Sequence, residues 1–359
     1  MKKIGIIGTV GVPASYGGFE TLVENIIERK CSSDIQYTVY CSSKAYSSHL
    51  SSYKGAALKY IKLDANGIQS IIYDIISLLK ATKECDEILV LGVSGCCFLP
   101  LYRLFSRKKL IVNIDGLEHK RKKWNRCVKL FLKFSERMAI RYSDIIVADN
   151  KGIKDYVREE YGINSELIAY GGDHTLISVT DDEKQSILEE YNLVVKEYSF
   201  SVCRIEPENN VHIALQAFKE NGQKLVFIGN WFKNEYGRAL FKEYQDVSNI
   251  ILLSPVYDLK VLFVLRSSCK FYIHGHSAGG TNPSLVEAMF LKCPILAFDV
   301  VYNRATTENK AFYYKDVASL NNLITIDPCM QLQCAQNMKD IACRLYCWHV
   351  IAEQYEKLY

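Results

Sequence analysis

The sequence alternates short, continuously apolar runs with longer amphipathic stretches along most of its length. The runs are KIGIIG, YTVYC, EILVLG, LIVNI and DIIVA in the first half, and YSFSVC, KLVFIG, IILL, KFYIH and PILAF in the second. Strands that are apolar on both faces are typical of parallel sheets covered by helices on both sides. The pattern therefore predicts an α/β fold with two parallel sheets.

The length of the chain divides this pattern between two domains. A chain of 359 residues is about twice the size of an ordinary domain, so each half can bury its own core. A polar, turn-rich stretch at 172–195 separates the two sets of runs and predicts a linker. We expect a first domain at 1–172 and a second at 173–340, with ligands beyond the carboxyl ends of the strands.

Composition favours a cytoplasmic protein. The charge-free stretch at 88–102 has about 15 residues and contains glycine and proline, whereas a membrane-spanning helix needs roughly 20 apolar residues. The first apolar run is too short for the core of a signal peptide. Thirteen cysteines, an odd number, fit reduced thiols. The carboxy-terminal cysteines lack a C-x-x-C pair, so we expect no zinc site.

A glycine-rich loop follows the first apolar run and leads into a predicted helix near Phe19. Gly17 and Gly18 let backbone N–H groups approach a phosphate, and the amino terminus of a helix favours negative charge. The alternative is a turn that needs glycine only for its shape. The spacing of the glycines differs from the G-x-G-x-x-G dinucleotide fingerprint, which disfavours an NAD oxidoreductase.

A second candidate phosphate site follows the run KFYIH. Gly279 and Gly280 leave backbone N–H groups available, and Pro283 suits the first turn of a helix. Thr281 or Asn282 can cap that helix. The sequence thus places a second helix amino terminus at the end of a strand, where a diphosphate can bind.

The same segment contains three further candidates for ligand binding. Glu287 lies one turn into the helix, where a carboxylate can accept both hydroxyls of a ribose. The spacing Ser284-x-x-Glu287 is equally that of a capping box, in which the carboxylate only satisfies a backbone N–H. His274 ends the strand, a position at which a histidine is more often a scaffold residue than a catalyst.

Arg204 follows the run YSFSV and precedes another predicted helix. An arginine just past a strand end can clamp a diphosphate through two hydrogen bonds and stabilise its growing charge as a leaving group. The competing interpretation is a surface salt bridge with Glu206 or Glu208.

A basic segment at 120–141 holds nine Lys or Arg and one acid, Glu136. A basic, amphipathic helix is typical of contact with an anionic membrane surface, and a plain solvated helix is the alternative. Nucleic acid is disfavoured because no nucleic-acid-binding motif accompanies the segment. The candidate residues for contact with a membrane or a lipid are Lys122, Lys123, Arg126, Lys129, Lys133 and Arg137.

Taken in order, these motifs resemble the retaining glycosyltransferases of family 4, which have the GT-B fold, and in particular the bacterial rhamnosyltransferases of polysaccharide assembly. The matching segments are GTVGVPASYGGFETLVENI, NIDGLEHKRKKW, AYGGDH, RIEPENN, GNW and HGHSAGGTNPSLVEAM. The resemblance spans nearly the whole chain. It implies two Rossmann-like domains facing across a cleft, and we expect a carboxy-terminal helix at 341–359 to return to the first domain.

The resemblance implies a hexosyltransferase that moves L-rhamnose from dTDP-L-rhamnose to a saccharide on a polyprenyl diphosphate. The product would serve capsule, O-antigen or cell-wall polysaccharide synthesis, at the inner face of the cell membrane. Another nucleotide sugar (glucose, galactose or N-acetylhexosamine), a nucleotide-sugar 2-epimerase and a non-catalytic binding module stay open as alternatives. Because the sequence has no D-x-D pair, we expect no metal or other cofactor.

The resemblance also implies roles for individual residues. Arg204 would hold the donor diphosphate, residues 279–284 its phosphates and sugar, and Glu287 its ribose. Asp115 and His119 are candidates to orient the acceptor, and the leaving diphosphate would accept the proton of the acceptor hydroxyl.

Three positions depart from the pattern of the family. Gly279 replaces the first glutamate of a Glu-x7-Glu pair, and Asn209 stands where a phosphate-binding lysine is usual. Asp115 stands where a histidine is common. Asn209 is retained as a donor-binding candidate.

Overall fold

A computed structural model describes residues 1–14, 17–121 and 124–359 and divides the chain into two compact units. Unit 1 comprises Met1–Tyr170 and Trp348–Tyr359, and unit 2 comprises Gly171–Cys347. Each unit is an α/β domain with a largely parallel sheet, so the predicted fold class of two Rossmann-like domains is confirmed.

The sheet of unit 1 has the strand order β3-β4-β2-β1-β5-β6-β7-β8, in which β3 alone runs antiparallel to its neighbour among the described pairs. Its strands are β1 (Lys2–Ile7), β2 (Ile35–Ser42), β3 (Ser52–Tyr53), β4 (Ala56–Ile61), β5 (Glu87–Leu91), β6 (Lys109–Asn113), β7 (Ile145–Ala148) and β8 (Glu166–Leu167). Its first helices are α1 (Gly18–Glu28), α2 (Gln69–Glu84), α3 (Leu99–Tyr102), α4 (Arg126–Tyr142) and α5 (Lys151–Tyr161).

The sheet of unit 2 is parallel and has the order β11-β10-β9-β12-β13-β14. Its strands are β9 (Tyr198–Val202), β10 (Lys224–Ile228), β11 (Ile250–Leu253), β12 (Tyr272–His274), β13 (Ile295–Phe298) and β14 (Phe312–Tyr314). Its helices are α6 (Asp181–Glu190), α7 (Val211–Asn221), α8 (Glu235–Tyr244), α9 (Leu259–Ser267), α10 (Pro283–Phe290), α11 (Val301–Thr306), α12 (Val317–Ile324) and α13 (Pro328–Leu345).

The central strands are buried on both faces, as continuously apolar runs require. In unit 1, Ile4 of β1 lies opposite Tyr37 of β2 on one side and Glu87 of β5 on the other. In unit 2, Phe200 of β9 lies opposite Val226 of β10 and Tyr272 of β12. All ten predicted runs form strands of the two sheets.

Each sheet has a topological switch point, at which the chain leaves one strand and later returns on its other side. In unit 1 the switch lies between β1 and β5, and in unit 2 it lies between β9 and β12. Ligands of doubly wound folds bind beyond the carboxyl ends of the strands at such points. The loops after β9 and β12 are those that carry the second and third candidate motifs.

The last helix, α14 (Trp348–Glu356), completes the core of unit 1. Trp348 and Tyr355 are fully buried among the side chains of α1, β1 and β2. The Tyr355 hydroxyl accepts a hydrogen bond from the side-chain amide of Asn113, at 2.8 Å. The chain therefore does return to the first unit, but at Trp348 rather than at 341, because α13 continues to Leu345 within unit 2.

The predicted linker at 172–195 contains a helix, α6. Thr180 caps α6 with a capping box, in which the Thr180 side chain accepts from the Glu183 N–H and the Glu183 carboxylate accepts from the Thr180 N–H. The spacing Thr180-x-x-Glu183 is a readable sign of a helix start. The composition of the segment obscured that sign, because acidic and polar residues make up most of it.

Candidate functional site

The loops beyond β9 and β12 are joined at the switch point of unit 2. The backbone N–H and the hydroxyl of Ser277 both donate to the carbonyl of Glu208, at 2.9 and 2.7 Å. The side chain of Asn210 donates to the carbonyl of Gly275 at 2.9 Å. Glycine is required at 275, since a Cβ there would lie 2.1 Å from the Asn209 carbonyl oxygen. Two motifs that are about 70 residues apart in the chain thus form one site.

Arg204 lies two residues past the end of β9 and is partly exposed. Its carbonyl accepts hydrogen bonds from the side-chain amide of Asn209, at 2.6 Å, and from the N–H of Glu206, at 2.9 Å. Within the described ranges its guanidinium forms no ion pair, so the competing salt bridge with Glu206 or Glu208 is not formed. Asn209 therefore shapes the turn that presents Arg204.

The amino terminus of α10 is capped by Asn282. The Asn282 side-chain oxygen accepts from the Ser284 N–H at 3.1 Å and from the Ser284 hydroxyl at 2.8 Å. Pro283 occupies the first turn, as predicted, and Thr281 is buried beside it. Gly279 adopts a φ of +117°, a backbone conformation that residues with a side chain rarely adopt. Apart from Gly279 and its two chain neighbours, no described residue has an atom within 4 Å of the position that a Cβ would take there. Open space therefore lies beside the backbone at Gly279, just before the start of α10.

Glu287 does not form the capping box that its spacing allowed, because Asn282 rather than Ser284 is the cap. Its carboxylate forms an ion pair with Arg266 of α9, with Nη2 2.8 Å from Oε2. Its other oxygen lies 3.5 Å from Nε2 of His174. Burial raises the pKa of the Glu287 carboxyl. The neighbouring Arg266, together with His174, lowers this pKa by more than burial raises it, so the pKa of Glu287 lies below its usual value.

A small pocket of about 60 Å³ lies beside this ion pair within unit 2. Sequence reasoning missed both the pocket and Arg266, although an arginine inside the apolar helix LKVLFVLRS was a usable signal. The pocket is lined by His174, Thr175, Ile177, Leu259, Leu262, Phe263, Arg266 and Glu287.

His274 is fully buried at the end of β12, next to the Arg204 turn. Neither of its ring nitrogens has a hydrogen-bond partner among the described residues. Its ring stacks on that of His276, with centroids 4.5 Å apart. Burial lowers the pKa of His274 to about 3, so the ring is neutral at ordinary pH. The position is that of a packed neutral ring rather than a charged donor contact.

The glycine-rich loop after β1 is occupied by carboxylates of its own helix. Glu20 accepts from the Thr9 hydroxyl at 2.9 Å and from the Val10 N–H at 2.8 Å. A Cβ at Gly17 would lie 1.9 Å from Oε2 of Glu20, so this carboxylate fills the space beside the helix start. A phosphate at Gly17 and Gly18 would meet this negative charge, and the geometry disfavours that role.

Asp115 follows β6 in a left-handed conformation, with a φ of 58°. Its N–H donates to the side-chain oxygen of Asn113 at 2.9 Å, and Asn113 in turn donates to Tyr355. Left-handed backbone is costly for a residue other than glycine and is maintained where surrounding contacts fix it. The contacts of Asn113 thus hold Asp115 at the carboxyl end of the sheet.

His119 faces a buried carboxylate of α4. Its Nδ1 lies 2.9 Å from Oε2 of Glu136, whose other oxygen accepts from the hydroxyls of Tyr156, at 2.8 Å, and Tyr161, at 2.6 Å. Burial raises the pKa of Glu136, but the contacts with His119, Tyr161 and Tyr156 lower it more, to about 2. Glu136 therefore fixes the ring of the predicted acceptor residue.

The basic residues of α4 differ in their surroundings. Arg126 and Arg137 are exposed, and Lys129 is partly exposed. Lys133 instead forms ion pairs with Glu160 at 2.9 Å and with Glu136 at 3.3 Å, so it belongs to the polar network around His119. The predicted contacts Lys122 and Lys123 lie outside the described residues.

The exposed face of α4 also carries apolar side chains. Leu130 is 64% exposed and Phe134 is 50% exposed. Within the described ranges no helix has the length and apolarity that crossing a membrane requires. Nor do the described His, Cys, Asp and Glu side chains gather into a group of three or more that would suit a metal ion.

Two family models match the chain in succession. Residues 1–173 match a domain of unknown function (DUF1972), and residues 183–317 match the glycosyl transferases group 1. This chain is a glycosyltransferase. The comparison with curated proteins found no match.

Solved structures share the fold of this glycosyltransferase over their whole length. Sucrose-phosphate synthase from Thermosynechococcus elongatus matches with a TM-score of 0.81 at 16% identity, over 100% of this chain and 98% of that chain. Anabaena HepE in complex with UDP-glucose matches with a TM-score of 0.76 at 14% identity, over 99% of both chains. These matches confirm the predicted GT-B fold.

The MnaA–UDP structure from S. aureus matches the glycosyltransferase with a TM-score of 0.65 at 15% identity, over 100% of this chain and 98% of that chain.

Because the pKa of Glu136 is low, the glycosyltransferase should lose stability as the pH becomes acidic. A carboxyl whose folded pKa is about 2 instead of the usual 4.5 stabilises the fold above pH 4.5 and loses this contribution as pH falls toward 2. The loss amounts to about 3 kcal/mol. We expect Glu136→Gln to unfold more easily at pH 7, by about 3–5 kcal/mol, and to lose less stability than wild type between pH 5 and 2.

Denaturant unfolding at several pH values measures this effect. Glu159→Gln, an exposed change on α5, is the matched control and should follow the wild type at every pH. A Glu136→Gln curve parallel to that of the wild type would show that Glu136 is not held ionised by its neighbours.

Proposed function

We propose that this glycosyltransferase moves a sugar from a nucleotide diphosphate, with retention of configuration, to a saccharide carried on a polyprenyl diphosphate. The observation that carries the proposal is the joined pair of loops in unit 2, where Arg204 and the amino terminus of α10 occupy one switch point. A guanidinium and a helix amino terminus are both suited to a diphosphate. L-Rhamnose and dTDP enter the proposal through the resemblance of the sequence motifs.

The donor site is proposed at residues of unit 2 alone. Arg204 holds the diphosphate, the loop 279–282 and Ser284 contact phosphate and sugar, and Glu287 accepts from the ribose hydroxyls. The fold shared with HepE, whose structure was solved in complex with UDP-glucose, supports a nucleotide sugar as the donor class.

The reaction proposed is a displacement on one face of the sugar. As the bond from sugar to diphosphate breaks, negative charge grows on the leaving diphosphate, and the acceptor hydroxyl forms the new bond. The leaving phosphate oxygen takes the hydroxyl proton. Arg204 and the backbone N–H groups near α10 stabilise the growing charge. Asp115 and His119 orient the acceptor, with the His119 ring fixed by Glu136.

Contact with a membrane is proposed at the exposed face of α4. Leu130 and Phe134 lie among the exposed Arg126 and Arg137, so apolar and basic side chains share one face. A helix of this kind inserts its apolar side chains at the lipid boundary while its cations attract anionic headgroups. This would place the enzyme at the cytoplasmic face of the cell membrane, where a polyprenyl-linked acceptor for capsule, O-antigen or cell-wall polysaccharide is found.

The activity is tested with a panel of nucleotide sugars and a saccharide on polyprenyl diphosphate. Nucleotide release and the mass of the lipid are followed together. We expect a gain of one deoxyhexose from dTDP-L-rhamnose. Gain of glucose, galactose or N-acetylhexosamine from another donor would retain the activity and overturn the rhamnose assignment. Conversion of donor without acceptor would indicate an epimerase, and binding without turnover would indicate a non-catalytic module.

Arg204→Ala should lower kcat by a factor of about 100–1,000, on the order of 3–4 kcal/mol, because the leaving diphosphate loses its cation. Steady-state kinetics with saturating donor measure the effect. Arg238→Ala, an exposed arginine on α8, is the matched control and should leave kcat unchanged. Wild-type kcat in Arg204→Ala would remove Arg204 from the mechanism.

Replacement of Leu130 and Phe134 together by serine should weaken binding to vesicles that contain anionic phospholipid by about tenfold or more, since two apolar side chains no longer enter the lipid. Co-sedimentation measures the bound fraction. Serine at Met330 and Leu332, which are similarly exposed on α13, is the control and should have no effect. Equal binding by both double variants would contradict the proposed surface.

A further inference from the structure

We propose that Arg266 is a positioning residue of the donor site, which fixes the Glu287 carboxylate for the ribose of the nucleotide. The inference rests on the proposed function. Arg266 lies near the end of α9, 21 positions before Glu287 in the sequence. No contact of Arg266 with donor is required, because it acts through the carboxylate.

Arg266 is a buried cation with one acidic partner. Its side chain is 4% exposed, and Nη2 lies 2.8 Å from Oε2 of Glu287. Among the described residues no other carboxylate pairs with it. An arginine does not lose its proton in proteins, so this charge must be balanced by a neighbouring anion. The pair therefore holds the carboxylate of Glu287 on the α9 side.

The backbone that carries Arg266 is itself held by two buried thiols. Cys269 and Cys293 both donate to the Arg266 carbonyl, at 3.0 and 3.1 Å. Cys293 belongs to the turn that leads from α10 to β13. The end of α9 is thus tied to the far end of the helix that carries Glu287, which limits movement of the guanidinium relative to the carboxylate.

The carboxylate keeps free acceptor capacity. Arg266 contacts Oε2, while Oε1 faces His174 at 3.5 Å and borders the pocket of about 60 Å³. The Glu287 side chain is 18% exposed, so it is not sealed from solvent. A carboxylate has about four acceptor sites. Two hydroxyls of a ribose can therefore bind while Arg266 remains in place.

The charged state of Glu287 depends mainly on Arg266. The titratable groups that face it are Arg266 from α9, His174 from the segment 173–175 and Tyr272 from β12. Burial alone raises the pKa of Glu287, and Arg266 is the first of the groups that lower it. Without Arg266 the buried carboxyl takes up a proton more readily. A protonated carboxyl has less capacity to accept hydrogen bonds from two hydroxyls.

The test compares wild type, Arg266→Met and Arg266→Lys by the KM for the nucleotide sugar between pH 6 and 9. In Arg266→Met we expect the donor KM to rise about 10- to 100-fold at pH 7, with a smaller change in kcat. The KM should fall toward the wild-type value as pH rises and Glu287 ionises. Arg266→Lys should recover much of the wild-type KM. A donor KM that is unchanged, or raised equally at every pH, would overturn the inference.

A double variant separates positioning from folding. We expect Arg266→Met to be less stable than wild type because it leaves a buried carboxyl unpaired, whereas Arg266→Met with Glu287→Gln removes both charges. We expect the double variant to recover most of the wild-type Tm but to keep a high donor KM that no longer varies with pH. Recovery of both Tm and KM would show a purely structural ion pair and overturn the inference.

Calorimetry with dTDP and UDP distinguishes this inference from the proposed function. Wild type that binds neither nucleotide and transfers no sugar would remove the proposed function itself. Equal nucleotide affinity of wild type and Arg266→Met at all pH values would overturn only the role proposed for Arg266. Weaker, pH-dependent binding by Arg266→Met supports both. Arg238→Met is the control for loss of an arginine in unit 2 and should bind as wild type does.

Discussion

The candidate site depends on one constraint, the reversal of strand order between β9 and β12. Since these strands are neighbours and parallel, their carboxyl ends open at the same edge of the sheet, and the loops that follow them meet there. Hydrogen bonds from Ser277 to Glu208 and from Asn210 to Gly275 then hold the two loops together. Arg204 and the amino terminus of α10 are placed by this contact rather than by either loop alone.

The distribution of buried carboxylates separates the roles of the two glycine-rich loops. In unit 1, the Glu20 carboxylate accepts hydrogen bonds from the Thr9 hydroxyl and the Val10 N–H in the loop after β1, so a negative charge already lies beside this loop. In unit 2, Glu287 is drawn toward Arg266, away from the capping role, and Arg204 forms no ion pair among the described residues. The unit 2 loop is the one whose electrostatics suit an added anion.

The sequence predicted the strands and the loops of the candidate site better than it predicted the contacts between the side chains there. The ten apolar runs identify strands because central parallel strands are buried on both faces. The strands β4 and β8 were not predicted, because β4 includes the exposed Lys59 and β8 has only two residues, so neither forms a continuous apolar run. The loops were found because they follow strand ends. The pairing of Arg266 with Glu287 could not be predicted from the sequence, since it depends on how α9 and α10 pack. The sequence grouped Lys133 with the predicted membrane residues, because its position on α4 does not reveal that it pairs with Glu160 of α5.

Hydrogen exchange of the backbone amides, with and without dTDP, tests the central claim that unit 2 alone forms the nucleotide site. The account predicts slower exchange on adding dTDP at 204–209 and 275–287, with no change in the loop 8–14. Slower exchange in the loop after β1 without any change at 204–209 and 275–287 would contradict the account, because it would place the phosphates beside Glu20.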